Sequence, residues 1–168
     1  AAVLDHGETQ IGLESTIIDL TTKQPIILRP GQISQQELAA ALGQEVLLNS
    51  GKVADSQVPK APGMKYRHYA PAAQVIIVDQ PEDFAELKVD QETGVVALDE
   101  VLSKYNFVNT YSLGADLASA SHNLFAALRY FDQKASINKI YVQGFQTGSL
   151  APAYMNRLEK AAAGKHYR

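Results

Sequence analysis

The chain has 168 residues, 46% of them hydrophobic and 20% charged, which is near the average of globular proteins and excludes wholesale disorder. Its 15 lysines and arginines stand against 18 acidic residues, and the net charge of −3 argues against a protein whose whole surface binds nucleic acid. Cysteine is absent, which excludes disulfides, and no apolar run approaches the roughly 20 residues of a membrane span, so we expect a soluble, cytoplasmic chain with no membrane partner.

The first predicted unit is a hairpin followed by a helix. STIIDL and PIILRP are short runs rich in β-branched residues, and the polar TTKQ between them indicates a turn. In SQQELAAALG, Ser34 and Glu37 have the spacing of a capping box at a helix start. The alanines and leucines that follow form an apolar stripe, and Gly43 predicts the end of the helix. Residues 1–50 therefore contain two strands and a helix.

Residues 51–72 lose this regularity. Gly, Ser, Lys and Pro dominate the stretch, with prolines at positions 59, 62 and 71. Such a composition predicts a linker that is semi-rigid where the prolines fall.

From residue 73 onward, strand-like runs alternate with helical patterns. The runs AQVIIVD, GVVALD, NFVNTYSLG and KIYVQGF predict four strands. PEDFAELK predicts a short helix, ADLASASHNLFAALRYFDQK a long amphipathic helix, and LAPAYMNRLEKAAAG a final helix that ends at Gly164. This alternation predicts a mostly parallel sheet covered on both faces, a three-layer Rossmann-like α/β domain over residues 73–168.

The mouth of the predicted hairpin combines groups that suit a small polar ligand. A turn centred on TTKQ gives paired positions whose numbers sum to about 45, so Ser15 and Arg29 meet at this end beside Glu14. Arg29 offers a planar fork of donors that fits phosphate or carboxylate. The alternative is structural, with Arg29 paired to Glu14 and the hydroxyls capping their own backbone. Spacing alone leaves both interpretations open.

The segment APGMKYRHYAP, residues 61–71, carries cations and aromatic rings side by side. Its prolines leave little room for a helix, so the side chains project from an extended ribbon. Tyrosine rings can stack on a nucleobase, and lysine and arginine can hold phosphates. The alternative is a solvated basic loop whose tyrosines pack on a neighbouring domain. Composition does not decide between the two.

Taken together, IGLESTIIDL, PIILRPGQIS and APGMKYRHYAP resemble the second half of a YrdC-like domain and the linker of the two-domain threonylcarbamoyl-AMP synthases. LFAALRYFD and APAYMNRLEKAAAGK resemble later motifs of that family's C-terminal domain. The resemblance covers nearly the whole chain, and the linker motif is highly specific. It implies that residues 1–50 are the C-terminal part of a YrdC-like catalytic domain, 51–72 a linker that serves as an active-site lid, and 73–168 the C-terminal Rossmann-like domain.

Enzymes of this family make threonylcarbamoyl-AMP from L-threonine, bicarbonate and ATP and release pyrophosphate. The resemblance thus implies a nucleotidyltransferase that uses ATP as a substrate, together with Mg²⁺. No protein-bound metal is expected, because the four histidines show no ligand spacing. The implied partners are the three substrates and the machinery that transfers the threonylcarbamoyl group to tRNA for t6A modification. Direct contact with tRNA stays open.

The resemblance also assigns residues, position by position. Ser15 in ESTI matches the family's threonine-contacting serine, and Arg29 in LRPG matches its ATP-contacting arginine. Tyr69 matches a nucleotide contact, and the lid contains Lys65, Tyr66, Arg67 and His68. No catalytic residue is assigned by this match.

The sequence departs from the family in two respects. The family's N-terminal half, which grips the ATP phosphates and forms most of the threonine pocket, has no counterpart here, and His6 stands where a glycine is common. We therefore expect this chain alone to be an inactive portion of a synthase. The alternative is a standalone, non-catalytic Rossmann-like module that binds a ligand or a partner.

Overall fold

The computed structural model describes residues 12–49 and 70–167, which form two β-sheets with their helices. The first part contains β1 (Ile17–Asp19), β2 (Ile26–Arg29), α1 (Gln35–Leu42) and β3 (Leu47–Leu48). The second part contains β4 (Gln74–Val78), a 3₁₀ helix (Pro81–Glu86), β5 (Thr93–Ala97), α2 (Asp99–Lys104), β6 (Asn109–Ser112), α3 (Leu117–Asp132), β7 (Lys139–Gln143) and α4 (Ala151–Ala162). This mixed α/β architecture confirms the predicted fold class.

The first sheet contains the hairpin that the sequence predicts. β1 and β2 are antiparallel, with Ile18 opposite Ile27, and β3 pairs with β2 in parallel. A bulge between Ile17 and Ile18 advances the pairing by one position, so that Ile17 rather than Thr16 faces Arg29. The register beyond the bulge keeps the constant sum of 45 that the turn position predicts.

Helix α1 begins and ends where its sequence signals indicate. The hydroxyl oxygen of Ser34 accepts a hydrogen bond from the backbone N–H of Glu37, whose carboxylate accepts from the backbone N–H of Ser34. These two bonds satisfy amide donors that the first turn leaves without helical partners. Gly43 ends the helix in the left-handed conformation, at φ 64°.

The second sheet is parallel throughout, with the strand order β4-β7-β5-β6. Helices α3 and α4 cover one face, where the core includes Leu124, Phe131, Tyr154 and Leu158. The 3₁₀ helix and α2 cover the other face through Phe84 and Val101, among others. Parallel strands buried on both faces read as continuous apolar runs, which is why their positions could be predicted from the sequence.

Two predicted elements differ in detail, and one helix was not predicted. The segment expected as a short helix after Pro81 is a 3₁₀ helix, and α2 was not predicted because its six residues are too few to show helical periodicity. The final helix ends at Ala162 rather than at Gly164, because Ala163 already adopts a left-handed conformation.

Most of the exposed large apolar side chains among the described residues lie in the first part. Five of the exposed large apolar side chains among the described residues belong to it: Leu20, Ile33, Leu42, Leu47 and Leu48. Within the ranges 12–49 and 70–167, none of the helices combines the length and apolar character needed to cross a bilayer.

Candidate functional site

Ser15 and Arg29 are in direct contact at the hairpin mouth. The guanidinium of Arg29 donates from Nε to the Ser15 carbonyl oxygen over 3.0 Å and from Nη2 to the Ser15 hydroxyl oxygen over 2.9 Å. Its Nη1 lies 3.1 Å from Oε2 of Glu14. The side chain of Arg29 is 11% exposed, and these contacts with Ser15 and Glu14 hold its fork of donors in one orientation. The ion pair with Glu14 that the structural interpretation requires is therefore present.

The backbone after β2 packs directly on the segment that carries Ser15. A Cβ atom at Gly31 would lie 2.4 Å from the carbonyl oxygen of Glu14 and 2.4 Å from the backbone nitrogen of Thr16, so only glycine fits between them. Nearby, the hydroxyl of Thr16 donates to the carbonyl oxygen of Ile33 over 2.9 Å. Two independent contacts therefore fix residues 14–16 above the end of β2.

Arg157 of α4 also reaches this site, which the sequence did not predict. Its Nη2 is paired with the same Oε2 atom of Glu14 that contacts Arg29, and its side chain is only 3% exposed. A signal was available, because Arg157 follows Tyr154 by three residues and precedes Leu158, both fully buried. An arginine in the apolar stripe of a helix requires a partner for its charge, so its position indicates burial although it does not name the partner.

Lys160 adds a further positive charge. Burial, followed by repulsion from Arg157 and Arg29, lowers the pKa of Lys160 to about 8. Three basic groups therefore lie in one electrostatic neighbourhood with the carboxylate of Glu14. Such an arrangement favours an anionic ligand such as a phosphate or a carboxylate.

The predicted lid residues Lys65, Tyr66, Arg67, His68 and Tyr69 lie outside the described residues, as does His6. The lid therefore stays a prediction.

Mg²⁺ is expected as a companion of ATP and stays a prediction, since the described residues contain no carboxylate cluster that bears on it. In 12–49 and 70–167, no group of three or more metal-ligating side chains of the His, Asp and Glu types is arranged around a common point. The carboxylate beside Arg29, Glu14, is bonded to two arginines instead of facing an open position.

The sequence of this chain is similar to those of known proteins. Residues 33–163 match the family described as threonylcarbamoyl-AMP synthase, C-terminal domain. The chain is 38% identical, over 95% of its length, to the threonylcarbamoyl-AMP synthase of Pyrococcus abyssi, and 33% identical, over its whole length, to that of Bacillus subtilis. It spans about half of these relatives, 48% and 50% of their lengths.

A solved structure agrees with these sequence matches. The crystal structure of P. abyssi Sua5 in complex with L-threonine superposes with a TM-score of 0.80 at 36% identity, covering 96% of this chain and 49% of that one. The similarity thus includes both the first sheet and the parallel sheet.

Proposed function

Because this chain belongs to the threonylcarbamoyl-AMP synthase family, we propose that it is the C-terminal portion of an L-threonylcarbamoyladenylate synthase. In the complete enzyme, L-threonine, bicarbonate and ATP give threonylcarbamoyl-AMP and pyrophosphate, for the t6A modification of tRNA in the cytoplasm. Residues 1–50 complete the catalytic domain, 51–72 form the linker and lid, and 73–168 form the C-terminal domain.

The chemistry places clear demands on the site. The threonine amine combines with bicarbonate to give a carbamate and water, and a carbamate oxygen attacks the α-phosphorus of ATP. The bond from this phosphorus to the oxygen of the leaving pyrophosphate breaks, so negative charge grows on the departing group. Fixed cationic donors that face the phosphates stabilise this charge more in the transition state than in the ground state.

The observation that carries the proposal is the contact between Arg29 and Ser15. Arg29 is the ATP-binding residue in this proposal, and its fork is held in place by hydrogen bonds to Ser15, which lowers the entropic cost of orienting it. The Ser15 hydroxyl accepts a bond from Arg29, so its own proton is directed elsewhere and can be donated to the threonine carboxylate. Tyr69 and the lid cations then close over the nucleotide.

The test compares product formation by this chain alone with product formation by the complete enzyme, which includes the family's N-terminal half. We expect the complete enzyme to form threonylcarbamoyl-AMP and pyrophosphate only when threonine, bicarbonate and ATP are all present, with the adenylate identified by mass spectrometry. The chain by itself should form none, because under this proposal the N-terminal half of the enzyme grips the ATP phosphates. A complete enzyme with no product would favour the non-catalytic module instead.

A further inference from the structure

Arg157 is a buried guanidinium whose ion-pair partner comes from a distant part of the chain. Its side chain is 3% exposed and it pairs with Glu14, which lies before β1, although Arg157 itself belongs to α4. Among the described residues, its Nη1 atom has no hydrogen-bond partner. Burying a guanidinium costs free energy that only paired charges offset. The contact with Glu14 therefore matters for both residues.

Glu14 is shared between two arginines, which changes the charge at the hairpin mouth. The same oxygen atom, Oε2, contacts Nη1 of Arg29 and Nη2 of Arg157. One carboxylate carries a single negative charge, so Glu14 cannot by itself neutralise both guanidinium groups. If Arg157 were absent, Glu14 would pair with Arg29 alone and cancel its charge.

A second contact ties the same segment to the helical layer of the parallel sheet. A Cβ atom at Gly12 would lie 2.3 Å from the carbonyl oxygen of His122 in α3, so the backbones touch there. The residues between Gly12 and Thr16 are thus held by α3 at one end, by α4 through Glu14, and by Gly31 at the hairpin. Both proposed substrate contacts, Ser15 and Arg29, depend on the placement of this short segment.

From these contacts we propose that Arg157 is a positioning residue that keeps the charge of Arg29 available to the ATP phosphates by drawing on the carboxylate of Glu14. The inference rests on the proposed function and extends it, because it gives the C-terminal domain a defined role in nucleotide binding. The helix α4 then acts on the substrate through Glu14 without touching it.

The experiment compares four variants of the complete enzyme: Arg157→Met, Arg157→Lys, Glu14→Gln and the double variant Glu14→Gln/Arg157→Met. We expect Arg157→Met to raise the KM for ATP about tenfold, the effect of losing one charge-assisted contact. The KM for threonine should change much less. Arg157→Lys keeps the charge and should restore most of the ATP affinity.

The double variant separates charge balance from simple structural support. With Glu14→Gln, the carboxylate that would neutralise Arg29 is gone, so the double variant should have a lower KM for ATP than Arg157→Met alone. A purely structural role predicts that the second change makes the defect equal or worse. The matched control is Arg129→Met, which removes an exposed arginine from the neighbouring helix α3 and should leave the KM for ATP unchanged.

Folding is checked by thermal unfolding and by hydrogen exchange of residues 12–31 in each variant. An ATP KM in Arg157→Met equal to that in Arg129→Met, or a double variant whose KM is equal to or higher than that of Arg157→Met, overturns the inference while the proposed function stands. If the complete wild-type enzyme forms no product, the proposed function fails and the inference fails with it.

Discussion

Gly31 and Glu14 approach each other so closely that a methyl group on Gly31 would lie 2.4 Å from the carbonyl oxygen of Glu14. This contact is between backbones, so no side-chain movement can relieve it. The hairpin mouth is therefore built on one position where the absence of a side chain sets the distance between Ser15 and the end of β2.

Gly31→Ala should separate these backbones and disturb the contacts of Arg29 with Ser15. We expect a loss of roughly 1–3 kcal/mol in the free energy of unfolding, as for other overpacked sites, and a larger loss of ATP-dependent product formation in the complete enzyme. Gly43→Ala is the control, because φ is 64° there but no atom lies within 4 Å of the added carbon. It should cost about 1 kcal/mol in stability and leave product formation intact. Equal effects of the two changes on activity would contradict this view of the hairpin mouth.

Arg29→Lys tests the proposed ATP contact in the complete enzyme. The charge is retained but the planar fork is lost, so ATP use should weaken by about 1–3 kcal/mol with the fold unchanged.

The lid is tested by Tyr69→Ala, alone and combined with Arg29→Lys. The single change should lower turnover and apparent nucleotide affinity together, because closure is impaired. The two changes should be non-additive, since a lid can close only on a ligand that the lower site holds. Wild-type kinetics in both single variants would remove this pair from the site.

Lys160 should titrate well below an ordinary lysine. Its pKa of about 8 follows from burial first and from Arg157 and Arg29 second. Reductive methylation with ¹³C-labelled formaldehyde and an NMR titration would measure it directly. The internal control is Lys104, whose pKa is raised by its hydrogen bond and ion pair with Glu100. Arg157→Met should raise the pKa of Lys160, and a midpoint for Lys160 at or above that of Lys104 would refute the assignment.

His166 should make stability depend on pH near neutrality. Its Nδ1 lies 2.7 Å from Asp79 and its Nε2 lies 3.0 Å from Glu159. Burial lowers the pKa of His166, but the hydrogen bond to Asp79 and the charges of both carboxylates outweigh it and raise the pKa overall. The charged imidazole therefore stabilises the fold fully below the unfolded pKa of about 6.5, and this stabilisation is lost as pH rises through the higher folded value.

Chemical unfolding at several pH values would check this sign. The stability difference between wild type and His166→Gln should be largest at about pH 6 and should shrink by about pH 8. Lys160, with its depressed pKa of about 8, titrates at the upper end of this window, but it is present in both proteins and its contribution cancels in the difference between them. A difference that grows with pH would show that His166 is bound in its neutral form.

The sequence predicted elements well where local chemistry decides them. Ser34, Glu37 and Gly43 mark the ends of α1 through bonds within a few residues, and the apolar runs of β4, β5 and β7 follow from burial on both faces. The 3₁₀ character after Pro81 and the six-residue α2 escaped prediction, because short helices lack a full period of apolar positions.

The candidate site was predicted only on the hairpin side. The antiparallel hairpin brings Ser15 and Arg29 to the same end, which position numbers predict approximately, although the bulge places Ile17 opposite Arg29 and the Arg29 side chain makes the contact with Ser15. Arg157 is related to them by tertiary packing alone, and no spacing rule connects α4 with Glu14. Its location in an apolar helical stripe indicated burial, but not the partner.

The strand order β4-β7-β5-β6 has a consequence for the order of events during synthesis. β5 and β6 are neighbours and can pair as soon as both have left the ribosome. Of the four strands of the parallel sheet, β4 is synthesised first and β7 last. Among the named strands, β4 hydrogen-bonds only to β7. The apolar residues Val75, Ile77 and Val78 therefore have no sheet to join until nearly all of the domain has been translated. During synthesis, β4 therefore stays unpaired, with its apolar residues exposed to aggregation, until β7 is available. A chaperone bound to β4 would protect the nascent chain most at this stage.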